Sequence, residues 1–271
     1  MESVFSKIKK EDFYELVSRC EKYINIDVDK AYRAAKEHID SHKTNNNRVS
    51  NDYNIVKLLE NKWYNSLNSS PDYSVYNDPY YICDIWVCWV LYSRKSLLSI
   101  NSDKSLITTS VLDYIGSTKT VVDVGCGFGY TTACLKELFN NADVYGTNLK
   151  ESYQFNIAQE FGKKHNFKVL DNAKRLKNVD VVFASEYFEH IINPIEHAYE
   201  IIQSCKPRFM IIANGFNGIA IGHFHKYIHQ GKEYGAYDMS RMFGKAMRMM
   251  GYKKLKTKIW NSRPNVWERI K

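Results

Sequence analysis

The chain has 271 residues with a net charge of +8, and 44% of its residues are hydrophobic and 25% charged. That composition excludes wholesale disorder and collagen-like repeats, and suits one large domain with or without an extension. The longest apolar run, Ile85 to Tyr92, falls far short of the ~20 residues that cross a bilayer, and the N-terminus lacks the apolar core of a secretory signal. Six scattered cysteines (Cys20, Cys83, Cys88, Cys126, Cys134 and Cys205) form no C-x-x-C pair and read as reduced thiols of a soluble, cytoplasmic protein without membrane association.

The first hundred residues contain no glycine and are patterned as helix. Leu16, Cys20, Tyr23 and Ile24 recur at helical spacing, and Asn45-Asn46-Asn47 breaks the run. A second helix is predicted near Ile55, Leu58, Leu59 and Trp63, ending in the polar stretch Asn65–Asp72. An aromatic belt follows: Tyr73, Tyr76, Tyr80, Tyr81, Trp86, Trp89 and Tyr92. Within it Ile82, Ile85, Trp86 and Trp89 form one helical stripe, which reads as core ahead of a base-stacking surface.

From about residue 104 strands and helices alternate. Helices are expected at Ser105–Ile115, Tyr130–Phe139, Ser152–Lys164, Pro194–Ser204 and Met239–Met250. Strands are expected at Thr120–Val124, Asp143–Thr147, Phe167–Leu170, Val179–Ala184 and Arg208–Ala213. The chain closes with strands Lys253–Trp260 and Val266–Ile270 around Pro264, an antiparallel hairpin in which Lys254, Lys256 and Lys258 share a face. Such alternation predicts an α/β fold with a mostly parallel sheet covered on both faces. The boundary divides a helical N-terminal extension, residues 1–103, from a domain spanning 104–271.

Charge is segregated. Residues 241–271 hold ten basic side chains and one acid, Glu268. The whole excess of positive charge therefore lies at one end, a feature of chains that meet an anionic partner such as nucleic acid, although a merely solvated face has the same composition.

The sequence Val121-Val122-Asp123-Val124-Gly125-Cys126-Gly127-Phe128-Gly129 sits where a strand passes into a helix. Glycines two apart let the backbone turn sharply and approach a ligand, and the helix behind them offers free N–H groups. The spacing is neither a dinucleotide G-x-G-x-x-G nor a phosphate loop ending in Lys-Ser/Thr. With the later passages VYGTNLKES, DVVFASEYFEHIINP, CKPRFMII and MMGYKKLKTKIW, in that order, it resembles the class I S-adenosylmethionine-dependent methyltransferases over residues 104–270.

The resemblance implies a Rossmann-like sheet, mostly parallel with the last strand antiparallel, and S-adenosylmethionine as cofactor. It places Asp123, Gly125, Cys126, Gly127 and Gly129 along the methionine end. Asn148 stands where the family has an acid that grips the ribose. Asp171 or Asn172 falls at the adenine, and Ser185 beside the transferred methyl. An Asp/Asn-Pro-Pro-Tyr-type motif for exocyclic amines is absent after the fourth strand, which reads Ala184-Ser185-Glu186-Tyr187. No Pro-Cys nucleophile occurs either.

Glu186-x-x-Glu189-His190, followed by His223, His225 and His229, resembles the metal-binding set of small-RNA 3′-terminal ribose 2′-O-methyltransferases. That likeness makes Glu186, Glu189, His190 and His225 candidate ligands for Mg or Mn, with His190, Glu186 and His225 the catalytic candidates. A metal-free histidine base and purely structural histidines are the alternatives. Tyr187 and Tyr227 are the aromatics expected nearest the acceptor. The implied reaction is methylation of a hydroxyl on an anionic or nucleic-acid-derived acceptor. A small metabolite or sugar acceptor and a non-catalytic methyltransferase-like binding subunit are the rival readings, and the oligomeric state is left open.

Overall fold

The computed structural model describes residues 53–78, 81, 100–102, 104–259 and 263–270. The chain divides into two compact units, 1–95 with 220–222, and 96–219 with 223–271. In the first, helix α1 (Tyr53–Ser66) carries a fully buried Trp63, whose ring meets Tyr73 at 5.7 Å and Tyr76 at 6.2 Å. Tyr76 in turn meets Tyr81 edge-on at 5.3 Å. Trp63 and Tyr81 are buried, Tyr76 is partly buried and Tyr73 is exposed, so only part of this ring cluster is core. The predicted helices around Leu16–Ile24 and Ile82–Trp89, with Tyr80, Trp86, Trp89 and Tyr92, lie outside the described residues.

The second unit is built on a seven-stranded sheet in the order β3-β2-β1-β4-β5-β9-β8. Its central strands β1 (Thr120–Val124), β4 (Val181–Ser185) and β5 (Phe209–Ala213) are nearly continuous apolar runs, as strands covered on both faces must be. β2 (Asp143–Thr147) and β3 (Lys168–Leu170) extend the parallel part on one side. β9 (Asn265–Arg269) runs antiparallel to β5, and β8 (Tyr252–Lys254) antiparallel to β9. This is the Rossmann-like arrangement expected. Val121, Phe183, Ile211 and Val266 meet across it in the core.

Local signals set the helices. α3 (Tyr130–Leu138) follows the glycine loop directly. α4 (Tyr153–His165) starts where the Ser152 hydroxyl accepts from Phe155 N and stops at Asn166 in the left-handed region, with Lys163, Lys164 and His165 at its negative end. α5 (Pro194–Cys205) begins with a proline in its first turn. α6 (Ala236–Met249) buries Met239, Phe243 and Met247 at helical spacing.

Three expectations need correction. The helix predicted at Ser105–Ile115 is only α2 (Val111–Ile115), because Ser105 is drawn into a turn, donating to Ile100 O and accepting from Val111 N, and Ser110 caps the helix after it. The strand predicted to Trp260 is regular only to Lys254, with a last bond to β9 from Leu255 N to Val266 O; Lys258 N then donates to Ser105 O at 2.7 Å, which pulls the chain off the sheet edge. The segment after β5, for which the sequence predicts no regular element, is structured. It contains a hairpin, β6 (Lys226–His229) and β7 (Lys232–Gly235), turned by Gln230 and Gly231 at φ 49° and 73°. Two consecutive positive φ values match the twist of flanking strands.

Candidate active site

Loops at the carboxyl ends of β1, β2, β4 and β5 gather the candidate residues, where ligands of open α/β sheets bind. The glycine loop rises from β1, with Gly125 at φ 70° and Gly127 at φ 53°, both in the left-handed region. Their surroundings differ. A Cβ on Gly125 would collide with the ring of Tyr187, 2.7 Å from its Cε2, whereas a Cβ on Gly127 would meet only Gln154 Oε1 at 3.6 Å. The bare backbone at Gly125 thus accommodates the protein's own aromatic ring, and that at Gly127 leaves the approach to the loop open. Gly129 packs on Phe167, whose Cζ lies 2.6 Å from the added atom.

Asp123 and Cys126 sit beneath the loop rather than in its crevice. Asp123 is 2% exposed, and its Oδ2 accepts from Thr132 Oγ1 at 2.7 Å. Burial raises its carboxyl to about 7, against the pull of that hydrogen bond. The Cys126 sulfur points inward toward Gly146, so only its backbone can face a ligand.

Asn148, after β2, is tied to the loop through one of its amide hydrogens. Its Nδ2 donates to Gly127 O at 2.9 Å and its Oδ1 accepts from Leu149 N at 2.8 Å. At the end of β3, Asp171 Oδ2 accepts from Arg175 at 2.7 Å, while Oδ1 is buried without a hydrogen-bond partner. Asn172 is spent as a cap, accepting from Lys174 N. Between the two adenine candidates, Asp171 therefore holds the unused acceptor. Ser185 closes β4 and is buried.

Glu186 follows at φ 48°, a conformation costly for a residue with a side chain, held by its N–H donating to Ala213 O at 2.7 Å. Glu189 is fully buried, with Oε1 accepting from Gly215 N and Oε2 buried without a partner. Burial, and then the neighbouring Glu186, push its carboxyl well above the ordinary range. A cation or a shared proton would relieve that pair.

Glu186, Glu189 and His223 bring ligand atoms within 4.8 Å of one another. His223 Nδ1 donates to Gly218 O at 2.8 Å, which presents Nε2 as an acceptor, and burial keeps the ring neutral by lowering its pKa. Among the described residues the candidate set thus loses His190 and His225 and gains His223. His225 is exposed and outside this cluster. His190 stacks edge-on against His223 with centroids 4.8 Å apart, and burial lowers it to about 3, far from the near-neutral value a general base needs. Tyr227 is wholly buried and donates to Glu189 O at 3.0 Å. Tyr187 is tied to His197 Nε2 at 2.8 Å, so neither tyrosine faces an acceptor freely.

Two residues emerge from the structure alone. Gly215 lies under the carboxylates, its missing Cβ 3.4 Å from both Glu186 Oε2 and Glu189 Oε1. Arg263, far along the chain, stands 3.9 Å from Glu186 Oε1. No periodicity points to either; a lone arginine beside a turn proline carries no local signal.

The basic C-terminal segment is divided by the fold. Lys253 pairs with Glu268 at 2.9 Å and Arg269 caps Lys206 O at 2.7 Å. Arg241, Lys245 and Arg248 instead line one groove of about 510 Å³ on α6 with Tyr234, Asp238 and Met242.

Residues 122–212 match a family described as a methyltransferase domain. The methyltransferase-like protein 235L of Invertebrate iridescent virus 6 is 32% identical over 110 residues, covering 39% of this chain and 40% of that protein. The match thus spans about two fifths of that relative's length. An O-methyltransferase-like structure from Nostoc punctiforme shares the fold, with a TM-score of 0.50 at 10% identity over 78% of this chain and 68% of that one. The small-RNA methyltransferase HEN1 gives a TM-score of 0.43 at 15% identity, over 59% of this chain and 24% of that one. No helix among the described residues is long and apolar enough to cross a membrane.

Proposed function

We propose that the chain is an S-adenosylmethionine-dependent methyltransferase that methylates a hydroxyl of an anionic, nucleic-acid-derived acceptor. The observation that carries this reading is the pairing of an open glycine crevice at Gly127 with an acid–imidazole cluster at the ends of β4 and β5. The residues fit the cofactor. Gly127 leaves room, the α3 N-terminus favours a carboxylate, and the unpartnered Oδ1 of Asp171 suits an exocyclic amine. Bound S-adenosylmethionine supplies a sulfonium methyl that needs alignment more than activation.

Glu186, Glu189 and His223 are assigned to the acceptor side. Two carboxylates and an imidazole suit a divalent cation, whose chemistry is to lower the pKa of an adjacent hydroxyl. Glu189, fixed by Gly215 N and packed over Tyr227, is the rigid member; Glu186 is the half-buried one that can take the acceptor's proton. The groove of Arg241, Lys245 and Arg248 is assigned to the acceptor's phosphates. Free thiols at Cys126, Cys134 and Cys205 suit a cytoplasmic location.

The test is methyl transfer from labelled cofactor to RNA oligonucleotides, to the same RNA after periodate oxidation, and to hydroxylated metabolites, each with and without chelator. Transfer to intact RNA that is lost on oxidation and on chelation supports the reading. Chelator-insensitive transfer removes the cation, transfer to metabolites alone removes the nucleic acid, and failure to bind S-adenosylhomocysteine removes the enzyme.

A further inference from the structure

We infer that Asn148 is a positioning residue that sets the glycine loop through the carbonyl of Gly127, in addition to any contact it makes with cofactor hydroxyls. The inference rests on the cofactor reading above. The bond of 2.9 Å runs from an amide N–H to a carbonyl oxygen, and its companion of 2.8 Å runs from Leu149 N to the amide oxygen. Both partners are backbone groups of fixed polarity, so the orientation of the carboxamide is determined by them. A carboxylate can accept from Leu149 N but has nothing to donate to Gly127. It would set an anionic oxygen against a carbonyl oxygen.

The chemistry explains why an amide stands at this place. One N–H and one lone pair of the carboxamide are already spent, and one of each is left. The remaining pair can donate to one hydroxyl and accept from another, so a single side chain both orders the loop and meets a diol. Position matters too. Asn148 N donates to Leu170 O, anchoring the residue between β2 and β3, and the carbonyl it grips belongs to the glycine whose Cβ position is open. Ordering Gly127 in advance spares the cofactor that cost on binding.

The test compares Asn148→Asp and Asn148→Ala with the native chain by titration calorimetry with S-adenosylhomocysteine. A residue that only grips ribose gives the order Asp tightest, Ala weakest. The loop role gives the reverse for the acid: Asn148→Asp binds roughly tenfold or more weakly at about pH 8, and no better than Asn148→Ala. Lowering the pH to about 4 and below, the ordinary aspartate range, protonates the introduced carboxyl, restores a donor toward Gly127 O, and recovers affinity in that variant. The ionisable groups on adjoining segments are Lys150 and Glu151 after β2, Asp171 with Arg175 after β3, and Asp123 under the loop. All are shared with the native chain, whose own pH profile is the control.

Tighter binding by Asn148→Asp at pH 8, or a variant profile parallel to the native one, overturns the inference. If the native chain takes up no S-adenosylhomocysteine, the functional reading has failed. The loop bond is then judged on the unliganded protein: amide exchange across 125–129 should quicken in Asn148→Ala, and unchanged exchange overturns it.

Discussion

Gly125→Ala and Gly127→Ala should separate two jobs that one motif performs. At φ 70° an alanine costs about 1–3 kcal/mol of backbone strain. Its methyl group would also press into the Tyr187 ring, which His197 holds in place. Overpacking of that kind adds about 1–3 kcal/mol. The expected loss is about 2–6 kcal/mol, a fall in melting temperature on the order of 10 °C for a unit of this size. At Gly127 the methyl meets only Gln154 Oε1 at 3.6 Å, leaving strain of about 1 kcal/mol and a fall of about 2–4 °C.

The order inverts for ligand. Gly127→Ala should weaken S-adenosylhomocysteine by about tenfold or more, because its methyl enters the crevice. Thermal denaturation and calorimetry on both variants read the two effects, and Tyr187→Ala combined with Gly125→Ala should cost less than the sum of the single changes. Equal thermal losses, or native affinity in Gly127→Ala, would refute the division of labour.

His223→Ala should cut methyl transfer at least tenfold with little change in S-adenosylhomocysteine affinity, whereas His225→Ala should leave both near native, as steady-state kinetics will show. Glu186→Gln should abolish binding of Mn by the isolated protein, measured by titration, while its melting temperature stays within a few degrees. Asp123 is raised from 3.8 to about 7 in the folded chain, so the folded state binds the extra proton between those values. Stability contributed there is full below about pH 4 and is lost as pH rises through about 7, by at most roughly 4 kcal/mol. Asp123→Asn should flatten that slope in pH-dependent denaturation, leaving the part due to Glu189, which is shifted the same way. Exchanging Arg241 and Lys245 for glutamate should weaken single-stranded RNA binding and lower the salt slope by about 1.4 if both meet phosphates.

The sheet was legible because its central strands are short apolar runs, and because readable helix starts, Ser152 after β2 and Pro194 after β4, punctuate the parallel part. The glycine loop and the two glutamates were legible because their spacing is local. What the sequence withheld depended on neighbours distant in the chain. His223, His225 and Tyr227 share the same parity, yet only His225 is exposed, since strand β6 begins after it and the chain bends at His225 itself. Asn148 is placed by its sequence position alone, whereas the bond from its amide to Gly127 O depends on how the loop after β1 folds back. Arg263 reaches Glu186 only because β9 returns beside β5. The Gln230-Gly231 turn carried a readable signal, a flexible pair between alternating segments, that a histidine-rich stretch obscured.

The ribbon of β6 and β7 is stitched to the segment after β4 at three points: Tyr227 to Glu189 O and Ile228 N to Ile192 O in the loop, and His229 to Glu196 in the first turn of α5 at 2.7 Å. Trimming this excursion, as an engineer seeking a minimal scaffold would, therefore unseats a buried acid rather than shedding decoration. Conversely, anything that tugs on the ribbon from outside has a mechanical handle on the Glu189 carboxyl.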